Sequence, residues 1–283
     1  MTFRLCDFMT KTADTILRLS PRIEVLPILH ASGDLAQEVR ETLIGRRFDC
    51  LAVPLPPSVE EAVEQAVQAL PRINLVVLPE PDGDGRPAVS FVPVDPCQAI
   101  IMGVRVAMGE GIARAYIDRE VTVFEPTPFS APDPYALKRV SLASFASALI
   151  PALPIPARHS QQWHRLAWMA FRLHELELDY QSILCLCHLP DWPWLREAYR
   201  ERQAYTGPEP IHSRPSVHPA SASTLYFVLG ELPFLTELYE RRRAELRSDR
   251  HLSVDGIKEL LLETRSLWHK RRLQDASGAH SIT

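Results

Sequence analysis

The sequence predicts an α/β protein with a mainly parallel sheet, helices on both of its faces, and a C-terminal helical appendage. Three observations predict this class. Short apolar runs of strand length alternate with helix-length amphipathic segments as far as about residue 203. Proline is abundant (25) and glycine scarce (11), and many prolines stand at the ends of apolar runs, where they stop strands and start helices. Past residue 222 the alternation gives way to helical, arginine-rich sequence.

The first strand-like run covers 23–29 and is interrupted by Pro27. Ser32 or Asp34 then caps a helix over 35–46, whose Leu35, Val39 and Leu43 share one face. A second apolar run covers 50–55. Ser58 caps the helix after it, with Glu60 and Glu61 suited to the first turn. A third run covers 73–78, and the turn PDGDGRP leads into VSFVPV as a hairpin partner. A helix over 96–110 ends at Gly111, and the next strand is 113–118. Helices over 133–149 and 158–178 follow, the first started by Asp133 and Pro134. Residues 182–189 (SILCLCHL) read as a buried strand and 191–203 as a helix. Strand–helix–strand alternation favours right-handed crossovers, which bring the strand C-termini to one edge; sites in open α/β sheets collect there.

The remaining chain divides further. Residues 1–204 make up the α/β domain, 205–221 a Pro-rich linker that reads as a long loop, 222–273 the helical appendage, and 274–283 a frayed tail. Within the appendage, helices are expected over 233–247 and 253–272, the second capped by Ser253. Their apolar stripes are Phe234, Leu235, Leu238 and Tyr239, then Ile257, Leu260, Leu261 and Leu267. The opposite faces carry Arg241, Arg242, Arg243 and further cations, a solvated face or a docking surface for an acidic protein partner.

Composition excludes several classes. The net charge of -4 gives no reason to expect a nucleic-acid partner. No run approaches the roughly 18 apolar residues that span a bilayer, so no membrane is expected. The five cysteines, an odd number lying largely in apolar runs, argue for a reducing compartment, and hence for the cytoplasm. No Gly-rich phosphate loop or Gly-x-Ser-x-Gly elbow is present.

His30 and His188 each end an apolar run directly before a helix. Imidazole titrates near neutral pH, so either serves as a general base or as a ligand to a divalent metal; the plainer alternative is a histidine satisfied by a backbone carbonyl. The pair is expected at one sheet edge, opening into a shared crevice. Cys185, Cys187 and His188 invite a zinc reading, but no second pair has ligand spacing, and buried apolar thiols are the better expectation. Arg165 lies in an otherwise apolar helix, as an anion clamp or as a structural ion pair with Asp118 or Glu120. Asp34, the acid nearest to His30 in sequence, is the first choice for a catalytic carboxylate beside it and Glu24 a distant second choice, although capping is the usual work of an acid at such a position.

Four stretches resemble the TraB–ChaN–erythromycin esterase–Tiki superfamily, in family order, over about residues 23–195. In HASGDLAQEVRETLIGRRFDCLAVPLP, His30 matches a Gly-x-x-His signature and Arg40 an arginine ten residues on. GIARAYIDREV resembles a strand ending in Ile-Asp-Arg, which places Asp118 and Arg119. WHRLAWMAFRL matches a helix signature at Arg165, Met169 and Ala170, and ILCLCHLPDW a late Gly-x-x-His at His188. Pro27 replaces the signature glycine and Pro54 the strand glutamate. The resemblance implies a hydrolase acting through activated water, of the metal-dependent peptidase or esterase type. His30 would be base or metal ligand, His188 its partner, and Arg165 and Arg119 would stabilise negative charge. The alternative is a catalytically degenerate scaffold or regulator, since proline offers neither a carboxylate nor an N–H.

Overall fold

The computed structural model describes residues 17–81, 88–130, 136–137, 139–211, 213–245 and 252–278. In chain order its strands and helices are β1 (Ile23–Ile28), α1 (Gly33–Gly45), β2 (Cys50–Val53), α2 (Glu60–Gln68), β3 (Asn74–Glu80), β4 (Ala88–Val94), α3 (Ala99–Glu110), β5 (Ala113–Tyr116), α4 (Leu142–Leu149), α5 (Gln161–Asp179), β6 (Ile183–His188), α6 (Trp192–Glu201), β7 (Ser216–Pro219), α7 (Leu225–Val228), α8 (Pro233–Ala244) and α9 (Leu252–Gly278).

The main sheet is parallel throughout, in the order β1-β6-β2-β5. Its strands are nearly continuous apolar runs because both faces are covered. Alternation sorts each strand between two cores. Leu26, Ile28, Leu51, Val53, Leu184 and Leu186 pack with α1, α2 and α3. Ile23, Val25, Cys50, Ala52, Ile183, Cys185 and Cys187 pack with α5 and α6. Each fully buried aliphatic side chain contributes about 1.5–3 kcal/mol relative to exposure. The helices end as their sequences dictate. Ser32 caps α1 by accepting from Leu35 N–H, Ser160 caps α5 by accepting from Trp163 N–H, and Gly111 closes α3 at φ 68°.

The third strand departs from expectation. β3 leaves the parallel sheet and pairs antiparallel with β4 on one side and β7 on the other. Its short connection to β4 suits an antiparallel neighbour and is too short for a crossover. Pro79 is tolerated because β7 pairs only with Asn74–Val77, leaving β3 single-partnered at the proline. Residues 205–221 are therefore more than a loop, since they supply β7.

The helix expected over 133–149 forms only at 142–149, with Ser141 as its cap; Asp133 and Pro134 lie outside the described residues. The appendage packs by Leu235, Leu238 and Tyr239 of α8 and Leu252 of α9, around Cys97. α9 starts one residue before the expected cap, Ser253. Of its expected stripe only Leu260 is half-buried; Ile257, Leu261 and Leu267 are exposed. Nor is the arginine face simply solvated. Arg242 pairs with Glu259, Arg243 bonds Glu240 and the Pro96 carbonyl, and Arg241 lies 3.9 Å from Glu263. Among the described residues no helix is long and apolar enough to cross a membrane.

Candidate active site at the sheet edge

β1 and β6 run side by side with Ile28 opposite His188, so His30 leaves β1 two residues later on the same face. The two imidazoles meet at the C-terminal edge, as expected, with ring centroids 3.9 Å apart at 64°. His30 opens to solvent, yet protein packs around it closely enough that desolvation, and next the Arg165 guanidinium, lower its pKa below 6.5. His188 is more enclosed, and desolvation, then His30, then Arg165, hold its pKa well below 6.5. Its Nε2 is buried with no hydrogen-bond partner, and its Nδ1 lies 3.9 Å from Asp191 Oδ2.

Asp191 is a site residue that sequence reasoning missed. It follows His188 by three positions, on the turn into α6, where its N–H donates to the His188 carbonyl. Gln162 of α5 donates to its Oδ1 at 2.6 Å, and desolvation raises its pKa. The available signal was an acid at the N-terminus of the helix after His188. Nearness in sequence pointed instead to Asp34, which lies elsewhere. Tyr239 donates to Asp34 Oδ1 at 2.7 Å, at the junction of α1 with α8, and Ser32 does the capping. Glu24 pairs with Arg46, near the other end of β1.

Arg165 forms the ion pair with Asp118. Its Nε reaches Oδ1 at 3.0 Å and Oδ2 at 3.1 Å, and Nη2 also bonds Oδ2. Asp118 further accepts from Arg119 N–H at 2.8 Å. Arg119 donates to the Gly207 carbonyl and to Glu209. Both arginines are thus held by protein partners.

His30, His188, Asp118, Arg119 and Arg165 line a cavity of about 280 Å³. The edge of the main sheet supplies the first three, with Pro54 and Leu55 after β2, and α5 supplies Arg165. The antiparallel sheet supplies Leu78, Pro79, Phe91 and Val92; α3 adds Ile100 and Ile101, and Ile211 stands on the segment before β7.

No family model, curated protein or solved structure matches this chain. Geometry therefore carries the functional reading. For a divalent metal, the residues do not fit. Among the described residues no group of three or more His, Cys, Asp or Glu side chains could hold an ion. Cys185 and Cys187 pack into the core on the α5 and α6 side, while His188 turns to the other face. What the arrangement can do is move protons, since two neutral imidazoles in contact can accept and donate beside an apolar cavity.

Proposed function

We propose that the crevice is a hydrolytic active site in a divergent member of the TraB–ChaN–erythromycin esterase–Tiki superfamily, and that it works without a resident metal. The observation that carries this reading is the contact of His30 with His188 at the cavity wall. In the step proposed, a water oxygen bonds to the substrate carbonyl carbon while His30 takes its proton. The tetrahedral intermediate then breaks its bond to the leaving group, which receives that proton from His30. His188 orients His30. Asp191 lies close enough to favour the cation that forms transiently on the pair. Arg165 acts through Asp118, keeping that carboxylate from the imidazoles. The four buried thiols, Cys50, Cys97, Cys185 and Cys187, are free, which supports placing the protein in the reducing cytoplasm.

Hydrolysis of 4-nitrophenyl hexanoate tests the reading. His30→Asn is expected to lower kcat/KM by about 10²–10⁴ with the fold intact by circular dichroism. A variant as active as the parent would end the proposal.

A second reading, a binding protein that turns nothing over, is favoured by Pro54, which stands on the cavity wall where a strand carboxylate would assist the base. The exposed Leu261, Leu267 and Trp268 of α9, beside Arg265, Lys270, Arg271 and Arg272, then suit an acidic protein partner. Trp268→Glu together with Arg271→Glu and Arg272→Glu is expected to lose that partner in pull-down while leaving the melting temperature unchanged.

A further inference from the structure

We infer that the cavity excludes anionic substrates and selects an ester or amide whose acyl part is a hydrocarbon. This deepens the hydrolytic reading and rests on it for the chemistry, but not for the ligand class. The wall carries five ionisable side chains besides the two histidines, and each is engaged by the protein itself. Arg165 and Asp118 hold each other at 3.0 Å. Arg119 bonds Glu209 and the Gly207 carbonyl. Glu120 accepts from Ser58 N–H at 2.7 Å and Ser58 Oγ at 2.9 Å. Glu80 accepts from Ser90 Oγ and from Phe124 N–H. An incoming carboxylate would therefore meet no unpaired cation and would face the carboxylates of Glu80 and Glu120, which are held by neutral donors alone. It would lose its hydration without replacement, which costs several kcal/mol.

The polar capacity left over is that of neutral hydrogen-bonding groups. His188 Nε2 is buried and unpartnered, and His30 stands beside it at the opening. These suit one carbonyl or ester oxygen and its attacking water. Much of the rest of the wall is hydrocarbon, from Leu55 after β2, Leu78 and Val92 of the antiparallel sheet, and Ile100 and Ile101 of α3, with neutral polar groups of Gln98, Thr122 and Ser213 among them. Burial of a hydrocarbon chain there is favourable by about 0.8 kcal/mol per methylene. The volume, near 280 Å³, is at the small end for ligand pockets, which run from roughly 300 to 1,000 Å³. Such a cavity takes a short acyl chain and leaves a bulky leaving group at the mouth.

Two slowly hydrolysed anilides of equal chain length test this by calorimetry on the full chain. They are N-(4-nitrophenyl)hexanamide and the 4-nitroanilide of adipic acid with its free carboxylate. The neutral anilide is expected to bind at least about tenfold more tightly than the adipic one, with a Kd unchanged by added salt. Phe91→Lys sets a cation at a wall position whose side chain is 49% exposed and free to change. It is expected to raise affinity for the adipic anilide about tenfold or more. Equal or tighter binding of the adipic anilide by the parent, no binding of the neutral one, or no response to Phe91→Lys would each overturn the inference. Binding of the neutral anilide without turnover of 4-nitrophenyl hexanoate would support the ligand class and refute the hydrolytic reading.

Discussion

At the scale of single residues, His188 is held far from its behaviour in water. Burial, His30 and Arg165 all disfavour its proton, and burial and Arg165 also lower the pKa of His30. A base must be neutral to act, so a lowered pKa keeps the pair competent on the acid side. The acid limb of kcat/KM is therefore expected to fall below pH 6.5, the value of an unperturbed histidine. Linkage gives a companion expectation. Between the depressed native pKa and 6.5 the unfolded chain binds more protons than the native one, so stability drops as pH falls through that window. Urea denaturation from about pH 7.5 to about 5.5 should show a steeper loss in the parent than in His188→Asn. For Arg165, truncation to alanine is expected to cost about 3–5 kcal/mol, because Asp118 is 3% exposed and loses its cation. The double variant with Asp118→Ala should lose less than the two single losses combined. The histidine pair was legible because two apolar runs both end in histidine before a helix. Asp191 was not, since its nearness depends on the turn into α6 rather than on any spacing from His30.

The junction between α1 and α8 shows what an element needs from its neighbours. A Cβ on Gly33 would stand 2.3 Å from Cε2 of Tyr239, whose ring is fully buried and cannot swing away. Gly33→Ala gains little helix propensity at the first position of α1 and meets this ring, so a net loss is expected in thermal melts. In a Tyr239→Ala background the clash is gone, and the same change should become neutral or stabilising. Tyr239→Phe alone removes the bond to Asp34 and is expected to cost about 1.5–3 kcal/mol. Element types were readable where periodicity is strong, as in the continuous apolar run of β6 or the serine-capped α5. β7 was hidden because it is four residues long, holds no buried residue and ends in Pro219. Its signal lies in β3, a strand that needs a second partner.

Across the whole molecule, the appendage belongs to the core it covers. Removing residues after 222 would uncover Cys97 and leave Asp34 without Tyr239, so such a truncation is expected to melt at a lower temperature than the full chain. The two-sheet arrangement was only half legible. Apolar runs reveal strands but not which strands share a sheet, and β3 and β4 became a separate wall of the cavity. The strand order has a consequence for synthesis. β6 lies between β1 and β2, so the first two strands made have no shared edge until Ile183–His188 emerges. Val53 and Ile183 are 130 residues apart, a delay of roughly 6–26 s at common translation rates. Throughout it, two largely apolar strand edges wait on the ribosome, open to holdase chaperones and to each other's copies on neighbouring chains. A nascent chain stalled at Gln181 should remain protease-sensitive through β1, and one stalled well beyond His188 should not.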